Sequence, residues 1–503
     1  MCKPTDAAAD EPPVTQNICV VGAGPAGLLA TIFLLQRNDP SSSTPRYRVT
    51  LVDPGTDYGR LDSDGLNRAR SWMIGLSCHG LSAIKKVPGL YEEYVRGLGI
   101  DMQHFRLGLT NSHIFELNAK DLIPENSAFT VDRNYICAAL SRYLNDKYDE
   151  EAAFVTHYHT KALYVDGENK RVIARTKAQD KSDDFSIDYD VILGCDGIRS
   201  IVRNAFISTH RDFEFNLRGT FGHGKSVHVS LPPDVKDGTF MILNDAIPGF
   251  GSFVLPETGQ KLNVAFGTPL NRECPPELLS DDPSVISSYF AKHFKAFKID
   301  TDEVGRQWVT QGWNTTGQVH CNFYHSSELS AILLGDAAHA TSPQIGQGMN
   351  TALADAAVLD ELLDGHKDNW NAVLPKFSEL RVKEGNALTD LSFHTFSLSA
   401  SQQISLMLRQ NLRRKLNEYL PFLVGPDPMA EIVKGMKLSE AYNLMKKYGV
   451  IERVRNVNDG IMRDHFERTS GMVTEEKGLS FKNLLYYSAL PIAFAAYIAK
   501  KNL

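Results

Sequence analysis

The chain has 503 residues, of which 43% are hydrophobic and 22% are charged, and its formal net charge is −7 at pH 7. This composition is ordinary for a folded protein of several domain-sized units, and the mildly acidic balance argues against a nucleic-acid partner, which would need a basic face. The seven cysteines form no CxxC pair, so neither a zinc ribbon nor a dithiol redox centre is indicated.

The N-terminal part of the chain has the pattern of a βαβ unit. Its first residues are polar, so we expect no secretory signal. Residues 17–22 form an apolar run typical of a buried parallel strand, and helical spacing begins after a glycine-rich turn. A second apolar run, residues 47–53, ends in Asp53. A carboxylate at the end of this strand is placed to bind a ribose hydroxyl.

The turn between the first strand and the helix is a candidate dinucleotide site. Gly22, Gly24 and Gly27 follow the GxGxxG pattern. The first glycine permits the tight turn, the second lets the backbone approach a pyrophosphate, and the third lets the helix pack on the strand. Pro25 and Ala26 stand at the helix N-terminus, whose N–H groups and partial positive charge attract phosphates. We predict that these residues bind the cofactor.

The middle of the chain predicts a second unit. Residues 205–325 contain short β-like runs separated by Gly and Pro, which indicates a mostly antiparallel sheet inserted into the α/β domain. Buried-strand patterns at 189–195 and 330–334 flank it, so the Rossmann-like parent domain is predicted to be discontinuous. The predicted units are a cofactor-binding domain (1–204 and 326–375), a β-sheet substrate domain (205–325), a helical C-terminal region (376–480) and a tail (481–503).

A second motif, within residues 335–350, indicates which dinucleotide cofactor the protein binds. It places a carboxylate at the end of a buried strand, close to the N-terminus of another helix. The positive end of a helix favours the negative charge that a flavin acquires on reduction, whereas a nicotinamide would not need this second arrangement. The motif therefore indicates FAD. Its residues are Gly335, Asp336, Pro343, Gly346, Gly348, Met349 and Asn350.

These motifs resemble those of the flavoprotein aromatic hydroxylases. The segment 335–350 resembles their second FAD motif, and residues 194–203, which include Asp196, resemble their Asp-Gly motif, which is implicated in FAD and NAD(P)H binding. The resemblance spans residues 17–400. It implies a monooxygenase in which NAD(P)H reduces FAD and the reduced flavin captures O₂ as a C4a-hydroperoxide that hydroxylates an aromatic ring. No catalytic side chain and no metal are expected, and His339 is predicted to be structural.

Within that family the chain is most similar to the kynurenine 3-monooxygenases. Two short segments resemble segments of those enzymes: residues 70–80, which begin with Arg70, and residues 131–133, which end with Arg133. The resemblance implies that both arginines contact the flavin. Residues 377–392 resemble the helices that follow the second FAD motif. The resemblance therefore implies kynurenine or a related small aromatic as the substrate.

The resemblance also implies residues that contact the substrate. Asn350 matches a substrate-binding position, and Arg106 is the candidate for binding the substrate carboxylate, since a guanidinium can form paired hydrogen bonds with it. Ser127 and Phe396 stand where those enzymes have tyrosines. Phe396 is predicted to lie at the substrate.

The C-terminus contains a candidate membrane anchor. Residues 484–499 are sixteen residues without a charge, interrupted by Pro491. The run falls just short of the minimum of about 17 for a membrane span, but tyrosines and lysines accompany it as they do at membrane interfaces. A membrane anchor is favoured over a buried terminal helix, and the resemblance implies the mitochondrial outer membrane, facing the cytosol.

Two other functions are compatible with the same motifs. One is an epoxidase or reductase of a membrane lipid or isoprenoid, which the apolar tail suggests. The other is a membrane-anchored flavin-binding scaffold without turnover, which substrate-stimulated NADPH oxidation would exclude. A flavin halogenase is disfavoured, because the sequence has no Trp-x-Trp-x-Ile-Pro motif.

Overall fold

The computed structural model describes residues 15–68, 71–110, 113–118, 129–148, 152–177, 184–219, 221–269, 272–314, 317–396 and 398–469. The strands are β1 (Gln16–Val21), β2 (Tyr47–Val52), β3 (Met73–Leu76), β4 (Ile100–Asp101), β5 (His104–Thr110), β6 (His113–Asn118), β7 (Phe129–Asp132), β8 (Phe154–His157), β9 (Thr160–Asp166), β10 (Arg171–Thr176), β11 (Asp184–Asp188), β12 (Val191–Gly194), β13 (Phe215–Gly219), β14 (Phe221–Ser230), β15 (Thr239–Ile247), β16 (Phe250–Glu257), β17 (Lys261–Pro269), β18 (Gly317–Cys321), β19 (His325–Ser326) and β20 (Ala331–Leu333). The helices are α1 (Pro25–Gln36), α2 (Ser63–Arg68), α3 (Cys78–Lys85), α4 (Arg133–Tyr148), α5 (Ile201–Thr209), α6 (Pro283–His293), α7 (Thr301–Thr310), α8 (Asp336–His339), α9 (Gly348–Gly365), α10 (Trp370–His394), α11 (Ala400–Tyr419), α12 (Pro428–Val433), α13 (Leu438–Lys447) and α14 (Val450–Thr469).

A six-stranded sheet in the order β19-β20-β12-β1-β2-β8 forms the first core. Strand β1 pairs in parallel with β2 and β12, and β12 pairs in parallel with β20. Its central strands are continuous apolar runs because a parallel sheet is covered on both faces. Strand β20 joins this sheet from far along the chain, which confirms the predicted discontinuous α/β domain.

A second six-stranded sheet has the order β14-β17-β16-β15-β5-β6. It is antiparallel except where β15 runs parallel to β5, which confirms the predicted mostly antiparallel sheet. Met241, Val264 and Phe266 on one face pack in a single core with Phe290 of α6 and Trp308 of α7. Those two helices were not predicted, although Asp282 and Asp300 cap their N-termini.

The second sheet also draws on the N-terminal half of the chain. Strands β5 and β6 precede residue 204, yet they form its edge. A chain that is discontinuous in one domain can cross into the other more than once, and the sequence pattern of 104–118 does not reveal which sheet it joins. The predicted domain boundaries remain predictions.

A three-stranded sheet, β3-β7-β4, packs against the second sheet. Strand β16 packs against both β3 and β7, and the Thr130 hydroxyl donates to the Pro256 carbonyl at 2.8 Å. Strand β7 leads directly into α4 at Arg133, and α4 packs against α1. The small sheet therefore connects the second sheet to the α/β domain.

The described residues from 376 to 469 are mostly helical, as the pattern predicted, and α10 packs against α9, α13 and α14. In the part of the chain that the structure describes, every helix is too short or too polar to cross a membrane. The candidate anchor, residues 484–499, lies outside the described residues.

Candidate functional site

The turn after β1 gives each of its three glycines a different role. Gly22 has φ of +107°, and a Cβ there would lie 2.3 Å from the carbonyl oxygen of Cys195. A Cβ on Gly27 would lie 2.0 Å from the carbonyl oxygen of Gly22, whereas a Cβ on Gly24 would meet nothing within 4 Å. Pro25 begins α1, and no side chain caps this helix. The first and third glycines are needed by the fold, and the second leaves N–H groups open to a phosphate.

Asp53 lies just beyond β2 and joins two turns. Its Oδ2 accepts a hydrogen bond from the Ala23 N–H at 2.7 Å, and its Oδ1 accepts one from the Gly55 N–H at 2.6 Å. The carboxylate lines a cavity of about 120 Å³, which also contacts Gly24 and Tyr58. A ribose beside a pyrophosphate at α1 would lie in this cavity.

Arg133 connects this cavity to the second motif. The guanidinium lines the cavity and lies over the Trp72 ring, 5.5 Å from its centroid. Burial by itself lowers the pKa of the guanidinium, but Cys137 and Asp336 raise that pKa overall, so Arg133 stays cationic. The structure therefore brings Arg133 together with Asp53 and Asp336. Arg70 lies outside the described residues.

The Gly335–Asp336 turn is enclosed by two helices. Gly335 has φ of +58°, and a Cβ there would lie 3.2 Å from Cβ of Ala352 in α9 and 3.3 Å from Cβ of Ala26 in α1. Within residues 331–340 the only exposed residue is Asp336. Its carboxylate therefore stands at the surface where the first and second motifs meet.

The N-terminus of α9 is open, but Asn350 is used inside the protein. No side chain caps α9, and a Cβ on Gly346 would meet nothing within 4 Å. Asn350 is fully buried; its Oδ1 accepts from the Ser77 N–H at 2.8 Å, and its Nδ2 donates to the carbonyls of Gly75 and Gly346 at 2.9 and 3.0 Å. The amide joins β3 to the turn before α9, so the structure does not offer it to a substrate.

The other residues of this turn differ in exposure. Pro343 and Gly346 are exposed, while Gly348 and Met349 are half-buried. This turn and the N-terminus of α9 therefore present backbone to the site, as the motif predicted, and the contacts of these residues with a cofactor remain predictions.

The Asp-Gly motif contacts the chain next to Asp336 through a hydrogen bond. The Asp196 Oδ2 accepts from the N–H groups of Ile201 and Val202 at 2.6 and 3.4 Å, which caps α5. Arg203 of the same motif donates to the Ala337 carbonyl at 2.8 Å. Asp196 thus has a helix-capping role, and a direct contact with the cofactor remains a prediction. Arg203 belongs to the predicted motif segment, but its bond to Ala337 was not predicted, because nothing in the sequence pattern marks a partner so far along the chain.

Arg106 does not lie with the other candidates. It is in register with Met241 across the parallel pair of β5 and β15, so it lies on the sheet face covered by α6 and α7. Its Nη2 donates to the Asp234 carbonyl at 3.0 Å and lies 3.9 Å from Oε2 of Glu116. Successive side chains of a strand point to opposite faces of the sheet, so a shift of one residue along β5 would have placed the arginine on the other face.

The opposite face of that sheet carries an apolar wall. Phe105 and Leu107 are buried there with Phe240, Ile242 and Met407 of α11, and the rings of Phe105 and Phe240 are 5.3 Å apart. We call these five residues the aromatic wall. The sequence analysis did not predict this wall, although the continuous apolar run at residues 240–243 of β15 indicates a strand with apolar side chains on both faces. Phe396 is half-buried after α10, and its carbonyl accepts from Asn458 Nδ2 at 2.9 Å.

His339 has the structural role that the sequence predicted. It is buried, and its Nε2 is bonded to Asp355 Oδ2 at 2.6 Å. Asp355 and its further partner Arg381 were not predicted, because their contacts join α9 to α10 across the fold.

The arrangement fits an FAD molecule. The N-termini of α1 and α9 both lack a side-chain cap, and Arg133 adds a positive charge beside them. Two open helix N-termini and a cation favour an anionic dinucleotide. Asp53 stands at the ribose end of the site and Asp336 at the other motif, so an extended molecule would contact both.

Comparison with known protein families gives the same cofactor. Residues 93–369 match the model of a family described as FAD binding domain. Violacein synthase of Chromobacterium violaceum is 29% identical over 447 residues, which cover 87% of this chain and 97% of that protein. Kynurenine 3-monooxygenase of Legionella pneumophila is 26% identical over 414 residues, which cover 76% of this chain and 80% of that protein. The enzyme of the same name from Sus scrofa is 26% identical over 421 residues, covering 80% and 81%.

Solved structures show the same fold at low identity. A 2-methyl-3-hydroxypyridine-5-carboxylic acid oxygenase variant aligns with a TM-score of 0.57 and 16% identity, covering 85% of this chain and 98% of that one. PqsL of Pseudomonas aeruginosa, in complex with 2-aminobenzoylacetate, aligns with a TM-score of 0.55 and 17% identity, covering 78% and 98%.

Proposed function

Since the chain belongs to the FAD-binding domain family, we propose that it hydroxylates a small aromatic compound with NAD(P)H as reductant and O₂ as second substrate. The family and the curated relatives make it an FAD-dependent monooxygenase. The observation that supports an aromatic substrate is the aromatic wall, which lies on the sheet face that α6 and α7 leave uncovered.

The residues of this chain would hold the cofactor in three places. The open N-terminus of α1 at Gly24 would bind the pyrophosphate, Asp53 the ribose, and Asp336 with the N-terminus of α9 the flavin side. Arg133 would balance the negative charge of the phosphates. When bound, FAD supplies the electron transfer and oxygen activation that no protein side chain provides.

The aromatic wall would hold the substrate and exclude water. Its five side chains are apolar and pack together between the second sheet and α11; two of them are buried and three are partly buried. Aromatic rings favour tilted or edge contacts with another ring. A site that excludes water also protects reactive intermediates from side reactions. Kynurenine is our first candidate because two kynurenine 3-monooxygenases match over three quarters of this chain or more.

Truncating the wall should weaken substrate binding selectively. We expect Phe240→Ala to raise KM for the aromatic substrate roughly tenfold, which corresponds to about 1.4 kcal/mol, because a large apolar contact is lost. The measurement is NADPH consumption with a panel of kynurenine, other small aromatics and isoprenoids, together with oxygenated product. Hydrogen peroxide per NADPH should rise, because water would enter the site.

Phe466→Ala is the matched control, since Phe466 is an exposed phenylalanine on α14. It should leave KM and product yield unchanged. A KM in Phe240→Ala equal to that of the wild type would refute the wall as the substrate site. Acceleration by isoprenoids alone would favour an epoxidase or reductase, and no acceleration by any compound would point to a scaffold without turnover.

We further propose that residues 484–499 attach the protein to a membrane, with the mitochondrial outer membrane as the first candidate. One side of α11 and the turn after it support this proposal. Exposed apolar side chains recur there at helical spacing, and Arg409 and Lys415 border them. The exposed apolar residues are Leu408, Leu412, Leu416, Tyr419, Phe422 and Leu423. Such a stripe with basic flanks is typical of surfaces that lie on lipid.

Deleting residues 480–503 should release the protein from membranes. We expect the truncated protein to sediment less with vesicles that contain anionic phospholipid and to keep FAD bound, because every residue assigned to the cofactor site lies before residue 351. The measurement is co-sedimentation together with flavin absorbance. Unfolding of the truncated protein would instead show that the segment is a buried terminal helix.

A further inference from the structure

A buried carboxylate lies directly behind the Gly335–Asp336 turn. Asp355 of α9 is fully buried. Its Oδ2 accepts hydrogen bonds from the Gly335 N–H at 2.8 Å and from His339 Nε2 at 2.6 Å, and its Oδ1 accepts one from Arg381 Nε at 2.6 Å. One carboxylate therefore joins the end of the first sheet, helix α8 and helix α10.

The charge of this carboxylate is balanced within the fold. Burial by itself raises the pKa of Asp355, but His339 and Arg381 lower that pKa overall, so the carboxylate stays ionised. An ionised carboxylate only accepts hydrogen bonds, so Nε2 of His339 carries the hydrogen. Removing one member of a buried ionic group leaves its partners uncompensated.

The bond to Gly335 fixes a backbone conformation that few residues adopt. Gly335 has φ of +58° and ψ of −140°, a combination open almost only to glycine. Its N–H group donates to the Asp355 side chain, so that side chain orients the peptide just before Asp336. The exposed Asp336 carboxylate follows in the chain, and His339 anchors the other end of α8.

We propose that Asp355 is a positioning residue for FAD: through Gly335 and His339 it holds the Asp336 carboxylate where the cofactor meets it. Asp355 does not itself touch the cofactor. This inference rests on the contact between Asp336 and FAD proposed above.

The test is Asp355→Asn in the full chain. An amide has one acceptor atom where the carboxylate has two, so it cannot accept from Gly335, His339 and Arg381 together. We expect the dissociation constant for FAD to rise roughly ten- to a hundredfold, the equivalent of an unsatisfied buried donor. The measurement is titration of flavin-free protein with FAD, together with the visible circular dichroism of the bound flavin, which should also change.

A second variant separates positioning from stability. Asp355→Asn combined with Arg381→Met removes the uncompensated cation, so the melting temperature of the flavin-free protein should recover while FAD binding stays weak. Recovery of both would overturn the proposal, because it would show that only the arginine charge mattered. Glu361→Gln removes an exposed carboxylate of the same helix whose ion pair with Lys86 lies at the surface, where such pairs contribute little, so it should match the wild type in both measurements.

His339→Gln provides a test that keeps Asp355, in case Asp355→Asn does not fold. It should weaken FAD binding severalfold, and wild-type affinity in this variant would overturn the proposal. Asp336→Ala, which removes both acceptor oxygens, is measured in parallel. Unchanged FAD binding in Asp336→Ala would refute the contact assigned to Asp336, whereas unchanged binding in Asp355→Asn alone would refute only the positioning role.

Discussion

Gly27→Ala is expected to destabilise the fold, whereas Gly24→Ala is expected to leave the fold intact and to weaken FAD binding. A Cβ on Gly27 would lie 2.0 Å from a backbone oxygen, so Gly27→Ala should destabilise the protein by more than about 3 kcal/mol, as severe overpacking does. A Cβ on Gly24 would meet no protein atom within 4 Å. Gly24→Ala should therefore fold normally, but its methyl group would occupy the space of the pyrophosphate.

For Gly24→Ala we expect the dissociation constant for FAD to rise roughly ten- to a hundredfold, because a charge-assisted hydrogen bond contributes about 1.5–3 kcal/mol. Thermal unfolding of the flavin-free protein and FAD titration measure the two effects separately. Gly97→Ala is the control, since a Cβ there also meets nothing within 4 Å and the residue is remote in sequence from the motifs. Equal loss of stability in Gly24→Ala and Gly27→Ala would contradict the roles assigned to the two glycines.

Asp336→Ala should strongly impair retention of FAD while leaving the fold intact. The carboxylate is exposed within an otherwise buried turn, so its removal leaves no cavity in the core. Loss of a hydrogen bond to a charged group should cost about 1.5–3 kcal/mol of FAD binding. The measurement is the flavin-to-protein absorbance ratio after gel filtration, followed by FAD titration.

Two further variants define what Asp336 contributes. Asp336→Asn keeps the shape of the side chain and an acceptor oxygen, so an affinity between those of the wild type and Asp336→Ala is expected. Glu361→Gln, an exposed acidic residue on α9, should retain FAD fully. If Asp336→Ala keeps its flavin through gel filtration, the second motif does not hold the cofactor in the way proposed.

The cofactor site could be predicted from the sequence because its residues act through local backbone geometry. Gly22, Gly24 and Gly27 lie within one turn, and each has a steric reason that a short segment contains. The strand before Gly335 and the helix after Gly346 are likewise local patterns, with period and turn residues in one stretch of chain. The family resemblance added the order of these motifs, and the family comparison agrees with it.

The substrate side could not be predicted in the same way. Arg106 was predicted from its charge and from the family resemblance, but the register of β5 places it on the sheet face covered by α6 and α7. Asn350 was selected by its position after a motif, yet its amide is hydrogen-bonded to β3 and to the turn before α9. In both cases the residue type was compatible with the role, and the direction of the side chain decided the outcome.

The sequence by itself determined the βαβ unit, the FAD motifs, the antiparallel character of the second sheet and the helical C-terminal region, because each depends on periodicity and turn residues that lie close together in the chain. Only the tertiary structure decided that β5 and β6 join the second sheet, that Phe105 and Phe240 form a wall, and that Asp355 meets Gly335, His339 and Arg381. These contacts join segments far apart in sequence, and their geometry depends on register and on packing between elements, which no local pattern contains.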